Sequence, residues 1–160
     1  VCLVSRKRLG IVVNTTVIVV ALVATALDAV TKAWARHSLA THGVHVFSSL
    51  WLRLQYNSGV SFSFNQSGPL VTTIITVLVA IGVILVGIRA RDGAPAIGFG
   101  LLIGGGLANV LDRLAATPHR VTDFIAVSTF PVFNLADVCI TAGFIVLIVA
   151  ALRGERLLAR

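Results

Sequence analysis

The sequence predicts an all-α membrane protein: four transmembrane helices, with a small β-structured unit in one of the segments that join them. Three observations lead there. Hydrophobic residues make up 57% of the 160 and charged residues 12%, about half the charge of a soluble domain, and a mean hydropathy of +0.98 leaves too little polar surface to face water. The apolar residues are gathered into four runs of spanning length, and most cations stand at the edges of those runs. The same composition excludes a disordered chain, which needs low hydrophobicity and high charge density. With only Cys2, near the terminus, and Cys139, inside an apolar run, a disulfide scaffold is excluded too. A net charge of +7 would suggest a nucleic-acid partner in a soluble protein, but cations at the ends of apolar runs set membrane orientation instead.

The first run, residues 9–27, is uncharged between Arg8 and Asp28; at about 1.5 Å per residue it is long enough to cross a hydrocarbon core. It is too long for a signal-peptide core and has no small-residue cleavage site after it, so it reads as an uncleaved span. The chain begins at Val1 and holds no Met, as an alternative start codon or a trimmed terminus would give. The second run, 70–88, is opened by Gly68 and Pro69 and closed by Arg89 and Arg91. The third, 94–111, is rich in glycine, and Gly100 and Gly104 have the small-xxx-small spacing that lets helices approach closely. The fourth, 133–152, is followed by Arg153, Arg156 and Arg160. The whole, 1–160, reads as one integral membrane domain.

Four spans put both termini and the 89–93 turn on one side, together with Arg6, Lys7, Arg8, Arg89, Arg91, Arg153, Arg156 and Arg160. The positive-inside rule makes that side cytoplasmic. Lys32, Arg36, Arg53, Arg113 and Arg120 are spread over the longer outer segments, 29–68 and 113–132. Within the first of these, residues 44–64 mix β-branched and aromatic residues with turn formers, as short strands on a membrane surface would.

Of six acids, Asp92 and Glu155 stand among the cytoplasmic arginines and read as solvated or paired surface charge. Asp28, Asp112, Asp123 and Asp137 all fall at or near the outer ends of the spans. An ionised group in a membrane is costly and faces a bundle interior or a water-filled cavity, so four at one level mark a candidate site. Asn109 and Asp112 end the third span while Asn134 and Asp137 open the fourth. Residues three apart share a helix face, so antiparallel neighbours bring the two pairs to one depth. Asp137 is expected about one and a half turns into its helix, roughly 9 Å from Pro131. Asp123, in the apolar stretch Val121-Thr-Asp-Phe-Ile-Ala-Val127, is expected half-buried where the chain returns to the membrane surface.

Asp112 is followed directly by Arg113 and reads first as an ion-paired helix end. Asp28 and Lys32, acid then base at i,i+4, read as a structural pair. Asp123 and Asp137 have no adjacent cation and read as chemistry. Two carboxylates in a dry cleft share one proton, because close like charges cannot both ionise; the ionised one takes a proton from water while the other donates to the substrate oxygen. That is peptide hydrolysis of the aspartic type, with no metal or cofactor. The residues alone leave Asp112 and Asp123 both open as the partner of Asp137. Other chemistries fare worse: there is no His-Glu-x-x-His, no Gly-x-Ser-x-Gly and no Walker loop. His37, His42 and His45 read as interface residues, and Ser61 and Ser63 have no base nearby.

Five stretches carry a resemblance: Asp28-Ala-Val-Thr-Lys32, Asn57-Ser-Gly-Val-Ser-Phe62, Gly105-Gly-Leu-Ala-Asn-Val-Leu-Asp-Arg113, Val121-Thr-Asp-Phe124 and Phe133-Asn-Leu-Ala-Asp137. In this order on a four-span frame, they resemble the lipoprotein signal peptidases, or signal peptidase II, aspartic proteases of the bacterial inner membrane. The resemblance covers nearly the whole chain. It implies cleavage of prolipoproteins just before a cysteine that already carries a diacylglyceryl group, in a monomer among membrane lipids. It selects Asp123 and Asp137 as the catalytic pair, with Asp28, Lys32, Asn57, Gly59, Asn109, Asp112, Arg113 and Asn134 in support. It also implies that residues 44–64 form a small β-structured cradle at the outer leaflet and that the stretch after Arg113 is a mobile flap. Ala108, Ser61 and Thr122 stand where the family usually has Gly, Ala and Val; these are small changes, and activity is expected to be retained.

The chief rival is a small cation or proton transporter or channel subunit, which would need polar residues through the full depth of the bundle. The inner halves of the runs are almost purely aliphatic. A non-catalytic assembly protein would tolerate Asp123→Asn and Asp137→Asn. A head-group transferase would need its acids on the cytoplasmic side.

Overall fold

The computed structural model describes residues 13–58, 68–116 and 119–159. Gly59 and Ser61, and the first residues of the first predicted span, lie outside them. The four predicted spans are four helices long and apolar enough to cross a membrane: α1 (Thr15–Ser38), α2 (Gly68–Gly87), α3 (Ala94–Ala115) and α4 (Leu135–Leu152). Three boundaries differ from the sequence expectation. α1 runs on from the predicted end at 27 to Ser38, because Asp28, Lys32 and Arg36 recur at i,i+4 and turn one charged face toward the other elements instead of ending the helix. α3 continues through Asp112 and Arg113. α4 begins at Leu135, with Asn134 as its N-cap.

α3 is the most buried helix and the centre of the bundle, with α1, α2 and α4 around it. Its glycines explain why. A Cβ on Gly104 would lie 2.6 Å from the Ala21 carbonyl oxygen of α1, and one on Gly105 would lie 2.5 Å from the Ala136 carbonyl oxygen of α4. Side-chain-free surface is what lets both backbones come this close. Gly106 faces open space. α2 packs chiefly on α3 and leaves Leu78, Val79 and Leu85 exposed, as lipid-facing residues should be.

At the end where α1 starts, Asn14 ties three elements together. Its side-chain oxygen accepts from Thr16 N–H at 2.9 Å, capping α1, while its Nδ2 donates to the Ala90 carbonyl and to Asp92 Oδ1, both at 2.9 Å. The chain after α4 is pinned to the same turn, Arg91 N–H donating to the Leu157 carbonyl at 3.0 Å and Ala159 N–H to the Arg89 carbonyl at 2.8 Å.

At the opposite end lies a three-stranded antiparallel sheet, in order β1 (Val44–Phe47), β2 (Leu50–Asn57) and β3 (Val121–Val127). The stretch around Asp123 is thus a strand, not merely a surface segment, and it joins the two sequence-distant outer segments. Gln55 pairs with Asp123 and Asn57 with Val121. Phe124 packs with Ala35 and Leu39 on the extended end of α1 and meets Trp34 edge to face. A tight return after β3, in which Phe133 exchanges hydrogen bonds with Ile125 at 2.8 and 3.0 Å, delivers the chain to Asn134.

Candidate active site

The polar residues singled out in the sequence converge where the sheet meets the ends of α1, α3 and α4. Asn134 is the hub. As N-cap of α4 its Oδ1 accepts from the Asp137 N–H at 3.0 Å, and its own N–H donates to Asp137 Oδ2 at 3.1 Å, a reciprocal capping box. Its Nδ2 donates to Asp123 Oδ1 at 2.6 Å and to Asn109 Oδ1 at 3.2 Å. Asn109 Nδ2 donates in turn to Asp137 Oδ1 at 3.0 Å. Asn134 therefore meets both carboxyl groups, Asp123 with its side-chain amide and Asp137 with its backbone N–H, and the Asn109 amide holds Asp137 from the side of α3.

Behind the amides stands Lys32, only 2% exposed. Its Nζ lies 2.8 Å from Asp28 Oδ2 and 3.5 Å from Asp112 Oδ2, and donates to Asn109 Oδ1 at 2.8 Å. The expected Asp28–Lys32 pair is present, but Asp28 does more than neutralise a charge: its Oδ1 accepts the Ala136 N–H at 2.8 Å, fastening the start of α4 to α1. Asp112 accepts from Thr122 N–H at 2.6 Å and from Arg36 at 3.1 Å. Its cationic partners are thus Arg36 and Lys32, and the expected pairing with Arg113 is not made. Side chains at i and i+1 point apart on a helix. Arg113 is instead turned inward, where its charge interacts with Asp123, Asp137 and Asp112; among the described residues nothing hydrogen-bonds its Nε.

Asp123, expected half-buried, is buried outright, and Asp137, expected one and a half turns into its helix, lies nearer the helix start. Asp137 sits at the third position of α4, in the first turn, and is partly exposed, while Asp123 is 1% exposed. The strand buries Asp123 beneath the helix ends, whereas the later start of α4 lifts Asp137 to the rim. Desolvation pushes the Asp123 carboxyl up from 3.8 to about 6. Hydrogen bonds from Asn57 and Asn134 oppose the rise, the Asp137 charge adds to it, and the Lys32 charge lowers it. Asn57 reaches Asp123 because β2 pairs with β3.

Asp137 borders an open, mainly apolar cavity of about 630 Å³, lined also by Asn57, Phe130, Phe133, Val138 and Ile145. Phe130, Phe133 and Arg36 carry weight that the sequence reading missed; the i,i+4 continuation of Asp28 and Lys32 was the available signal for Arg36.

A family model described as signal peptidase (SPase) II matches residues 20–153. A lipoprotein signal peptidase of Rhodococcus jostii is 40% identical over 107 residues, which is 64% of this chain and 54% of that protein. One from Chlorobium phaeobacteroides is 34% identical over 140 residues, 77% of this chain and 87% of its own. One from Mycobacterium leprae is 33% identical over 141 residues, 84% and 70% respectively. The fold is similar to a solved structure of a bacterial membrane enzyme, with a TM-score of 0.74 at 28% identity, covering 86% of this chain and 88% of that one.

Proposed function

Because the chain belongs to the signal peptidase II family of bacterial membrane proteases, we propose that it cleaves prolipoproteins just before their diacylglyceryl-modified cysteine, with Asp123 and Asp137 as the acid pair. The observation that carries this reading is that Asn134 donates to both carboxyl groups, its side-chain Nδ2 to Asp123 and its backbone N–H to Asp137, at the mouth of an apolar cavity. The transporter reading has no support in the comparisons.

The chemistry follows from the two environments. Asp123, buried and pushed up to about 6, holds the shared proton. Asp137, at the rim and at a helix N-terminus that favours negative charge, faces the water. The Asp137 carboxylate takes a proton from water as its oxygen attacks the scissile carbonyl carbon. Asp123 gives its proton to the carbonyl oxygen, forming a neutral gem-diol. Collapse breaks the C–N bond as Asp137 returns its proton to the departing cysteine nitrogen and Asp123 recovers one from a diol hydroxyl. No covalent intermediate forms and no proton is gained or lost overall. Asn57, Asn109 and Asn134 hold the acids, Asp28 and Asp112 fix the elements that carry them, and Arg113 balances the local negative charge. Gly59 belongs to the same set by resemblance, outside the described residues.

The side of the membrane follows from charge. Arg89, Arg91, Arg153 and Arg156 lie at the end away from the acids, and Arg6, Lys7, Arg8 and Arg160 flank the same spans. The positive-inside rule makes that end cytoplasmic and the acid pair outer-facing. A lipid anchor then holds the substrate's cleavage site at the bilayer surface, at the depth of the pair, so that proximity does part of the selection. The enzyme works as a monomer.

The test is a gel-shift cleavage assay in detergent or liposomes, giving the protein a prolipoprotein with and without its diacylglyceryl group. Cleavage of the lipidated form alone, abolished by Asp123→Asn and by Asp137→Asn but only weakened by Asp112→Asn, is the expected result. Activity surviving either of the first two changes in folded protein overturns the assignment of the pair.

A further inference from the structure

Two buried amides contact the acid pair, and an amide can be turned either way round. In one orientation it offers a carboxylate its N–H, in the other its carbonyl. Asn134 is fixed locally, since its Oδ1 accepts the Asp137 backbone N–H. Among the described residues the Asn109 side chain has no such backbone partner; its Oδ1 is met by Lys32 Nζ at 2.8 Å and by Asn134 Nδ2 at 3.2 Å. An ammonium group has three donors and no acceptor, so the Asn109 atom facing it can only be oxygen. Its nitrogen must then face Asp137 Oδ1, 3.0 Å away. The flipped amide would set N–H against ammonium and carbonyl against carboxylate, repulsive at both ends.

We propose that Lys32 is a positioning residue for the acid pair: together with the locally fixed Asn134 Nδ2 it takes the Asn109 carbonyl oxygen and so turns that amide's N–H onto Asp137. The inference rests on Asp123 and Asp137 being that pair, and assigns Lys32 a task that charge pairing alone does not explain. Pairing accounts for its contacts with Asp28 and Asp112. It does not account for the third contact, with Asn109. The cation is itself held still, because Asp28 is anchored by the Ala136 N–H of α4 and Asp112 by the Thr122 N–H of β3. The two elements that carry Asp137 and Asp123 thus also fix the group that orients the donors between them.

The experiment measures kcat and KM separately on a diacylglyceryl-modified prolipoprotein peptide, with full-length protein in detergent and a thermal melt to establish folding. Lys32→Gln, neutral and able to donate or accept, is expected to lose about a hundredfold in kcat with KM within about threefold of wild type. Asn109→Asp keeps an oxygen toward Lys32 but has no N–H for Asp137, and is expected to lose kcat as far at similar KM. Lys32→Arg is again a cation with donors only, and a cavity of about 170 Å³ beside Lys32 gives it room. It is expected to restore at least about a tenth of wild-type kcat. Wild-type kcat in folded Lys32→Gln or Asn109→Asp overturns the inference, as does a folded Lys32→Arg no faster than Lys32→Gln. Should Lys32→Gln not fold, the other two decide, Asn109→Asp by its fall and Lys32→Arg by its activity. Asp123→Asn and Asp137→Asn run alongside: if they are active, the acid pair itself falls, and if they are silent while Lys32→Gln is fast, only the role of Lys32 does.

Discussion

A carboxyl group that burial pushes from 3.8 to about 6 weakens the fold whenever it ionises. For Asp123 the sign is fixed: the folded state binds the proton more tightly than the unfolded chain, so the favourable contribution is complete below about pH 4 and is lost as the pH rises through about 6. At pH 7.5 the difference is up to about 3 kcal/mol against the fold. Asp123→Asn, which cannot ionise and keeps an oxygen for Asn134 Nδ2, is expected to raise Tm in detergent at pH 7.5, and to lose that advantage near pH 4; an unchanged Tm difference across that range contradicts it. In the proposed mechanism catalysis has the opposite interest, since there the proton on Asp123 is the one given to the substrate. Activity is expected to fall on the alkaline side, with a limb at or above about pH 6, seen in kcat/KM profiles on the lipidated substrate. The acids were legible in the sequence because charge is rare in apolar runs. Their partners were less so: Arg113 follows Asp112 directly, yet i,i+1 neighbours diverge on a helix, and the cations that meet Asp112, Arg36 and Lys32, come from another helix.

Hydropathy located all four helices because it records where lipid is, and it misplaced the ends for the same reason. The last turns of α1 are polar and leave the hydrocarbon, but the Asp28, Lys32 and Arg36 series keeps them helical and packs them under the sheet. β3 is a strand only because β2 lies beside it, and a seven-residue apolar stretch carries no mark of its partner. The glycines of α3 were legible as a packing surface, though not which of them bear contacts. Gly105 touches the α4 backbone at Ala136, next to Asp137, so Gly105→Ala must push the start of α4 away and is expected to cost about 1–3 kcal/mol. Displacing Asp137 as well, it should lower kcat. Gly106→Ala, facing open space one position on, is expected to keep both Tm and activity. Thermal melts of the two variants in one detergent separate a contact surface from a run of small residues. At the other end, Asn14→Ala removes a helix cap and two long-range donors together and is expected to lower stability by about 1–2 kcal/mol without touching the acid pair.

The whole molecule divides by depth. One end is a clasp of backbone hydrogen bonds and arginines, the middle a glycine-centred helix bundle, and the far end a buried polar network under a small sheet. The division was legible from the order of charges and apolar runs; the clasp was not, because it is made of backbone groups and one Asn, which hydropathy does not register. The proposed function depends on which end faces out, since in it a lipid-anchored substrate meets the acids only in the leaflet where they lie. Thr129, in the exposed turn after β3, and Glu155, beyond α4, report on the two ends. In a background with Cys2→Ser and Cys139→Ala, Thr129→Cys is expected to react with a membrane-impermeant maleimide on intact cells, and Glu155→Cys only after permeabilisation. The reverse pattern would put the acid pair in the cytoplasmic leaflet and overturn the outer-face assignment while leaving the fold and the family membership intact. Equal labelling of both before permeabilisation would mean that the chain does not take a single orientation, and the positive-inside argument would fail with it.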